Sequence, residues 1–423
     1  MAGKGLATVL LAGAALAAVP GGSATAQQSR DVQRQIEELR QQILRQQQTI
    51  GELQRRLEEL QGEQTRTRAK VEEGAEQARR NVVDQPLVQS GSPRVRVAVT
   101  GQIDRLLNLA DDGKQTKAYF VDNNVSVSRL RVTGTAELSD KASIGTNLEL
   151  AISPNNSAEV SQIDEAGGQR SEFRKTEGIF KHTDYGTIFF GKGDPATKDI
   201  TRIDLSGTDV LAYPATGDIV GGLLFRDNDD DLTGTTVNNV FTDFDSGRQD
   251  RIRYDTPILA GLTGAFSYGS DQRWGAAVRW AGTGHGVEAA AGIGVQDPSA
   301  EDIDLVYAGS ASILHAATGL NLTAASASRD QDDGTGRLYY VKGGWQHRFF
   351  DFGTTAFSID YGLDEDTPGN GDDGTTIGLV ALQNIERYGT ELFAGFRLYD
   401  LDPGGGPGTQ TIYVGTAGTR VKF

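Results

Sequence analysis

Gly353-Thr354-Thr355-Ala356-Phe357-Ser358-Ile359-Asp360-Tyr361-Gly362-Leu363 alternates its side chains strictly. Thr355, Phe357, Ile359 and Tyr361 share one face of an extended chain, and Ala356, Ser358 and Asp360 share the other. A period of two is the signature of a strand with one apolar and one polar face. Working outward, the pattern recurs. In 337–349, Tyr339, Val341 and Trp345 oppose Lys342, Gly344 and Gln346. In 389–400, Leu392, Ala394, Phe396 and Leu398 oppose Arg397. Charges keep to one face, as they must where the other touches hydrocarbon.

Sixteen such segments parse from the sequence: 95–107, 124–138, 142–152, 171–182, 186–193, 248–256, 262–270, 274–281, 286–296, 304–314, 320–330, 337–349, 353–363, 375–385, 389–400 and 410–423. Seven short turns alternate with eight longer, often acidic connections, so both ends of the region fall on one side. An even count with turns on one edge and loops on the other is the layout of a bacterial transmembrane barrel. No run of 18 apolar residues occurs, which excludes membrane helices. The mean hydropathy of −0.38 is compatible with a barrel, because only every second residue meets lipid. Tyr254, Tyr268, Trp280, Tyr388 and Tyr399 fall near segment ends, where an interfacial girdle is expected. The fold class is therefore all-β: a 16-stranded antiparallel transmembrane β-barrel over 95–423, preceded by an N-terminal α-helical coiled coil.

Residues 1–26 read as a signal peptide: Lys4, the apolar stretch Leu6 to Val19, then Ala24-Thr25-Ala26 before cleavage. Residues 27–80 carry a heptad stripe, with Ile36, Ile43, Ile50 and Leu57 at a and Val32, Leu39, Gln46, Leu53 and Leu60 at d. So narrow a stripe implies a partner helix, and polar Gln46 would fix the register. Residues 81–94, with Pro86, Gly91 and Pro93, read as a linker. Cysteine is absent, in keeping with export through an oxidising compartment. Net charge is −16, and residues 94–423 hold 29 basic and 46 acidic residues, or −17. There is no basic nucleic-acid footprint, and the balance inclines the chain towards cations.

Several short motifs then resemble those of Gram-negative general porins. They are Val99-Thr100-Gly101-Gln102-Ile103-Asp104, Ser128-Arg129-Leu130-Arg131-Val132-Thr133-Gly134, Tyr185-Gly186-Thr187-Ile188-Phe189-Phe190-Gly191-Lys192, Arg253-Tyr254-Asp255-Thr256-Pro257 and Gly418-Thr419-Arg420-Val421-Lys422-Phe423. The N-terminal extension is similar to that of sucrose-type porins. The resemblance implies a homotrimer in the outer membrane with its stalk in the periplasm, lipopolysaccharide contact, and passage of small hydrophilic solutes and ions. It also implies a third loop folded inward, its acids facing a basic wall. Residues 194–247 are the connection long enough for this, with Asp194, Asp199, Asp204, Asp209 and Asp218 as the acidic side. The basic side maps to Arg129, Arg131, Lys192, Arg251 and Arg253. Lysine at 192, where the family usually has arginine, weakens any planar stacked array.

Two other readings compete: a channel specific for a sugar or an anion, and a tether through which the stalk contacts peptidoglycan or another envelope partner. No nucleophile-elbow motif occurs, so no enzyme, and no cofactor or metal, is expected. Asp227-Asn228-Asp229-Asp230-Asp231 resembles the start of a calcium loop, but Leu232 and Asn238 stand where the glycine and the final acid belong. His182, His285, His315 and His347 show no ligand spacing.

Overall fold

The computed structural model describes residues 94–423, apart from 168–169, 300–302 and 332–333, together with Glu37, Gln41 and Ser92. The expected signal peptide and most of the expected stalk and linker lie outside the described residues; Glu37 and Gln41, within the segment read as a stalk, are helical and exposed.

The chain forms β1 (Arg96–Asp111), β2 (Thr116–Asp122), β3 (Arg129–Glu137), β4 (Ala142–Ser153), β5 (Arg170–His182) and β6 (Gly186–Gly193). A short hairpin follows, β7 (Leu224–Arg226) and β8 (Leu232–Thr236), then β9 (Gln249–Asp255), β10 (Leu262–Gly269), β11 (Trp274–Gly284), β12 (Val287–Asp297) and β13 (Ile303–His315). The last are β14 (Leu320–Gln331), β15 (Gly334–Phe350), β16 (Gly353–Glu365), β17 (Asp373–Ile385), β18 (Thr390–Asp402) and β19 (Ile412–Lys422). Each wall strand pairs antiparallel with its sequence neighbour, and β19 returns to β1 from Gln102↔Lys422 to Asp111↔Tyr413, closing the sheet. Because β7 and β8 pair only with each other, and β2 and β3 share one stave, the barrel has sixteen staves.

The shared stave departs from the expected segment 124–138. The upper half of β1 pairs with β2 and the lower half with β3, and Asn123–Ser128 leaves the ladder between them. The Gln102 side chain replaces the lost partners, donating to the carbonyls of Ser126 at 2.8 Å and Val127 at 3.1 Å. The loop expected over 108–123 shrinks to four residues, because β1 runs on to Asp111 and β2 begins at Thr116. Sharp turns close the other edge. At Gly319, φ is +73° and a Cβ would meet the Gln346 carbonyl oxygen at 1.8 Å, so only glycine fits.

Outside, Phe357, Ile359 and Tyr361 are exposed on β16, and Leu392 and Phe396 on β18, while Asp360, Lys342 and Arg397 point inward and are buried. Tyr254, Tyr268, Trp280 and Tyr388 are exposed as a girdle requires. Tyr399 is not. It shares the inward parity of Arg397 and is fully buried. The largest hydrophobic core lies inside the barrel: Leu211, Phe225 and Phe241 of the long loop pack with Leu106, Phe393, Tyr399, Ile412 and Val414 of the wall.

Candidate functional site

The connection between β6 and β9, residues 194–248, turns into the lumen and is fastened there residue by residue. Irregular backbone can be buried only if its polar groups find partners. The inward side chains of the wall supply them. Asn108 Nδ2 donates to the Ile219 carbonyl at 2.8 Å, Arg279 Nη1 to Ala196 at 2.9 Å, Lys342 Nζ to Ala212 at 2.7 Å and the Tyr399 hydroxyl to Thr216 at 2.7 Å. In return, loop amides of Ala196, Ile203 and Leu205 donate to the hydroxyls of Ser267, Ser310 and Ser312 at 2.9–3.0 Å. Two buried ion pairs lie at this contact: Lys342 of the wall with Asp204 of the loop at 2.9 Å, and Arg397 with Asp360, both of the wall, at 2.7 Å. A buried pair is costly unless its remaining valences are filled. Here they are: Thr323 and Ser206 donate to Asp204, and Arg397 also reaches the Leu211 carbonyl at 3.3 Å.

Docked against that side, the loop leaves a polar cavity of about 580 Å³ on the other, between itself and the wall of β3 to β5. The wall contributes six basic and two acidic residues to its lining, and the loop three basic and five acidic. The net charges, +4 on the wall and −2 on the loop, therefore oppose each other across the cavity.

The residues expected from the sequence divide. Arg129, Arg131, Asp194, Asp199, Asp209 and Asp218 all line this cavity. Arg131 and Arg174 clamp Glu149, their Nε atoms 2.8 and 2.7 Å from its carboxylate oxygens. Arg129 donates to Gln102 Oε1 at 3.3 Å. Four others lie elsewhere. Asp204 is the buried anchor of Lys342. Arg251 is buried against Glu177 at 2.5 Å. Arg253 forks onto Asp255 and the Pro195 carbonyl. Lys192 takes the parity of exposed Ile188 and Phe190, opposite Arg251 and Arg253, and its Nζ lies 3.4 Å from Glu172. Asp227, in the β7–β8 turn, spends its carboxylate on the amides of Asp229 and Asp231.

The sequence reading missed Glu149, Arg170, Glu172, Arg174, Lys175, Lys198, Arg202, Asp243, Arg248 and Arg420 of the lining. For Glu149 a signal existed, since it alternates with Leu148 and Leu150 and so must face inward. For the loop residues no period exists to read.

Charge regulation in the loop follows its neighbours. Burial works to raise the Asp194 carboxyl, but Arg248, Lys175 and Lys198 outweigh it and hold it at about 2. Arg248 Nε lies 2.8 Å from Oδ1, off the line of a hydrogen bond, so that attraction is Coulombic. Burial beside Asp243 pushes Asp245 to about 7 against the pull of Lys198. Burial also raises Asp218, with the Tyr213 hydroxyl and Asn124 working the other way.

Compared by sequence with curated proteins, the chain matches none. A family model described as Gram-negative porin matches residues 84–404. Among solved structures, the anion-selective porin of Comamonas acidovorans is similar at 16% identity and a TM-score of 0.53, covering 78% of this chain and 100% of that one. OmpT of Vibrio cholerae is similar at 14% identity and 0.53, covering 80% and 100%. OprB of Pseudomonas putida is similar at 10% identity and 0.51, covering 78% and 94%. At these identities the likeness is one of fold; the family match rests on the sequence. A closed sixteen-stave barrel with a loop fastened in its lumen, matched over three quarters of its length by that family model, belongs to the Gram-negative porin family and is an outer-membrane channel.

Proposed function

We propose that the channel passes small hydrophilic solutes and ions by passive diffusion, and that its narrowest point is the gap between loop 194–248 and the wall of β3 to β5. One observation carries this reading: the loop is bonded to the wall from many strands and still leaves a gap lined by charged residues against β3 to β5. Such a neck selects by size and by field. Arg129 and Arg131 belong to its basic side, with Asp194, Asp199, Asp209 and Asp218 opposite. Oriented water between opposed charges favours polar solutes over apolar ones. Arg251, Arg253, Lys192 and Asp204 act as supports of loop and wall.

The generally trimeric habit of the family supports three copies side by side, with lipopolysaccharide around the exposed rim. The heptads of 27–80 support a periplasmic coiled coil joining them and reaching towards the cell wall. Single-channel conductance in a planar bilayer tests the neck. A chain in which 197–246 is replaced by a short Gly/Ser link should conduct severalfold more than the natural chain. Equal conductance would sink the reading.

A further inference from the structure

Most charges of the neck are already spent. Arg131 and Arg174 share Glu149, Arg248 and Lys175 share Asp194, Arg170 lies 3.7 Å from Glu172, and Lys198 stands amid Asp199, Asp243 and Asp245. Arg420 is held by Glu391. Two guanidiniums lining the same cavity have no carboxylate within ion-pair distance among the described residues: Arg129 of the wall and Arg202 of the loop.

Both are held in place by neutral groups. The Arg202 guanidinium carbon lies 4.0 Å from the centre of the Tyr213 ring, and its Nη2 donates to the Val125 carbonyl at 3.4 Å. Tyr213 is itself buried and bonded to Asp218. Arg129 leans on Gln102, whose amide nitrogen is fixed by the carbonyls of Ser126 and Val127. The interrupted stave, Asn123–Ser128, thus braces both cations, one directly and one through Gln102. A guanidinium has five donors in a planar fork, and each of these spends one of them on a protein oxygen. The rest are open to the water of the cavity.

We propose that Arg202 and Arg129 form an oxyanion site in the neck, which takes the carboxylate or phosphate group of a small solute from loop and wall together. A fork with free donors matches the two oxygens of such a group. The cavity lining, nine basic residues against seven acidic, carries the sign an anion requires even though the chain as a whole is acidic. Asp199, Asp209 and Asp243 oppose it: all three line the same cavity and lie near enough to act on Arg202, and Asp209 is exposed and without an ion pair among the described residues. Their repulsion keeps the site weak enough for the anion to leave, as a conducting channel needs. The proposal rests on the neck lying at loop 194–248.

The test uses the full chain in planar bilayers. Reversal potential is measured under a potassium chloride gradient, and current block is titrated with inorganic phosphate and, separately, with succinate. The natural chain should prefer chloride, and at least one oxyanion should block it. Arg202→Gln should shift the reversal potential towards potassium and weaken block about tenfold, the loss of one charged hydrogen-bonding partner. Arg202→Lys should restore the potential but not the block. Asp209→Asn should move the potential further towards chloride and strengthen block. Whichever oxyanion blocks at lower concentration identifies the solute chemistry. A natural chain that prefers potassium, or block left unchanged by Arg202→Gln, overturns the site. If conductance rises in the loop-shortened chain while Arg202→Gln changes neither readout, the neck stands and only the oxyanion site falls.

Discussion

The wall and the loop are held by opposite means. In the wall, strand pairing is backbone to backbone, and one apolar side chain serves nearly as well as another on the face towards lipid. In the loop, side chains of the wall reach particular carbonyls, as Asn108, Lys342 and Tyr399 do, so single residues matter. The wall accordingly has a pattern and the loop has only partners. A chain built this way can vary what it admits without touching the structure that keeps it in the membrane.

The sharpest way to break this comparison is at Phe241, fully buried in the loop with its ring 5.2 Å from that of Tyr399. Phe241→Ala should cost about 3–5 kcal/mol, the usual penalty for a large aromatic left as a cavity. The loss should fall on loop docking alone: protease should cut within 194–248 while the barrel keeps its resistance to heat in detergent. Equal loss of barrel stability would show that loop and wall fold as one.

Next in size is Ile359→Arg, mid-strand on β16 with 56% of its surface exposed outward. A charge at the lipid midplane costs about 2–4 kcal/mol. Urea unfolding in vesicles should show that loss with the neck's ion selectivity unchanged; altered selectivity would contradict the assignment of faces.

Smallest is a pH effect at Asp194. Its folded value of about 2 lies below the ordinary carboxylate value of about 3.9. Its contribution is therefore complete above that ordinary value and lost as pH falls through the folded one. The contribution is on the order of 2 kcal/mol. Pepsin cleavage of the loop should accelerate from pH 4 to pH 2, and Asp194→Asn should flatten that acceleration. A variant with the same pH slope as the natural chain would assign the effect to other carboxyls.

How much was legible follows from the same contrast. All sixteen staves could be read because Phe357, Ile359 and Tyr361, and their counterparts elsewhere, betray a period. The break at Asn123–Ser128 was passed over, although Val125 and Val127 share the odd parity of inward Arg129 and Arg131, so that the apolar phase slips by one at Ser128 and both valines are buried as the segment leaves the sheet. Only Gln102, distant in sequence and bonded to that segment's carbonyls, gives the reason. Tyr399 was misplaced in the girdle although its parity with Arg397 already pointed inward. In the candidate site, Arg129 and Arg131 were legible through a motif and an inward parity. Arg202 and Lys198 were not, because a loop residue's direction is set by tertiary contacts such as the Tyr213 ring. Choosing acids by their presence in the loop also gathered in Asp204, whose carboxylate turns to Lys342 of the wall and away from the cavity.

The closing pair of strands has a consequence for how such a ring is made. Apart from β6 and β9, joined by loop 194–248, consecutive staves are close in sequence, whereas Gln102 must find Lys422 across nearly the whole barrel sequence. The entropy of closing a loop grows with its length, and long-range pairing is slow for that reason. Leu106 of β1 and Ile412 and Val414 of β19 belong to the same buried cluster as Leu211, Phe225 and Phe241 of the inserted loop. The loop therefore lines the seam on its lumen side: an apolar surface that favours the meeting of the two free edges, while the backbone ladder between them keeps the ring shut.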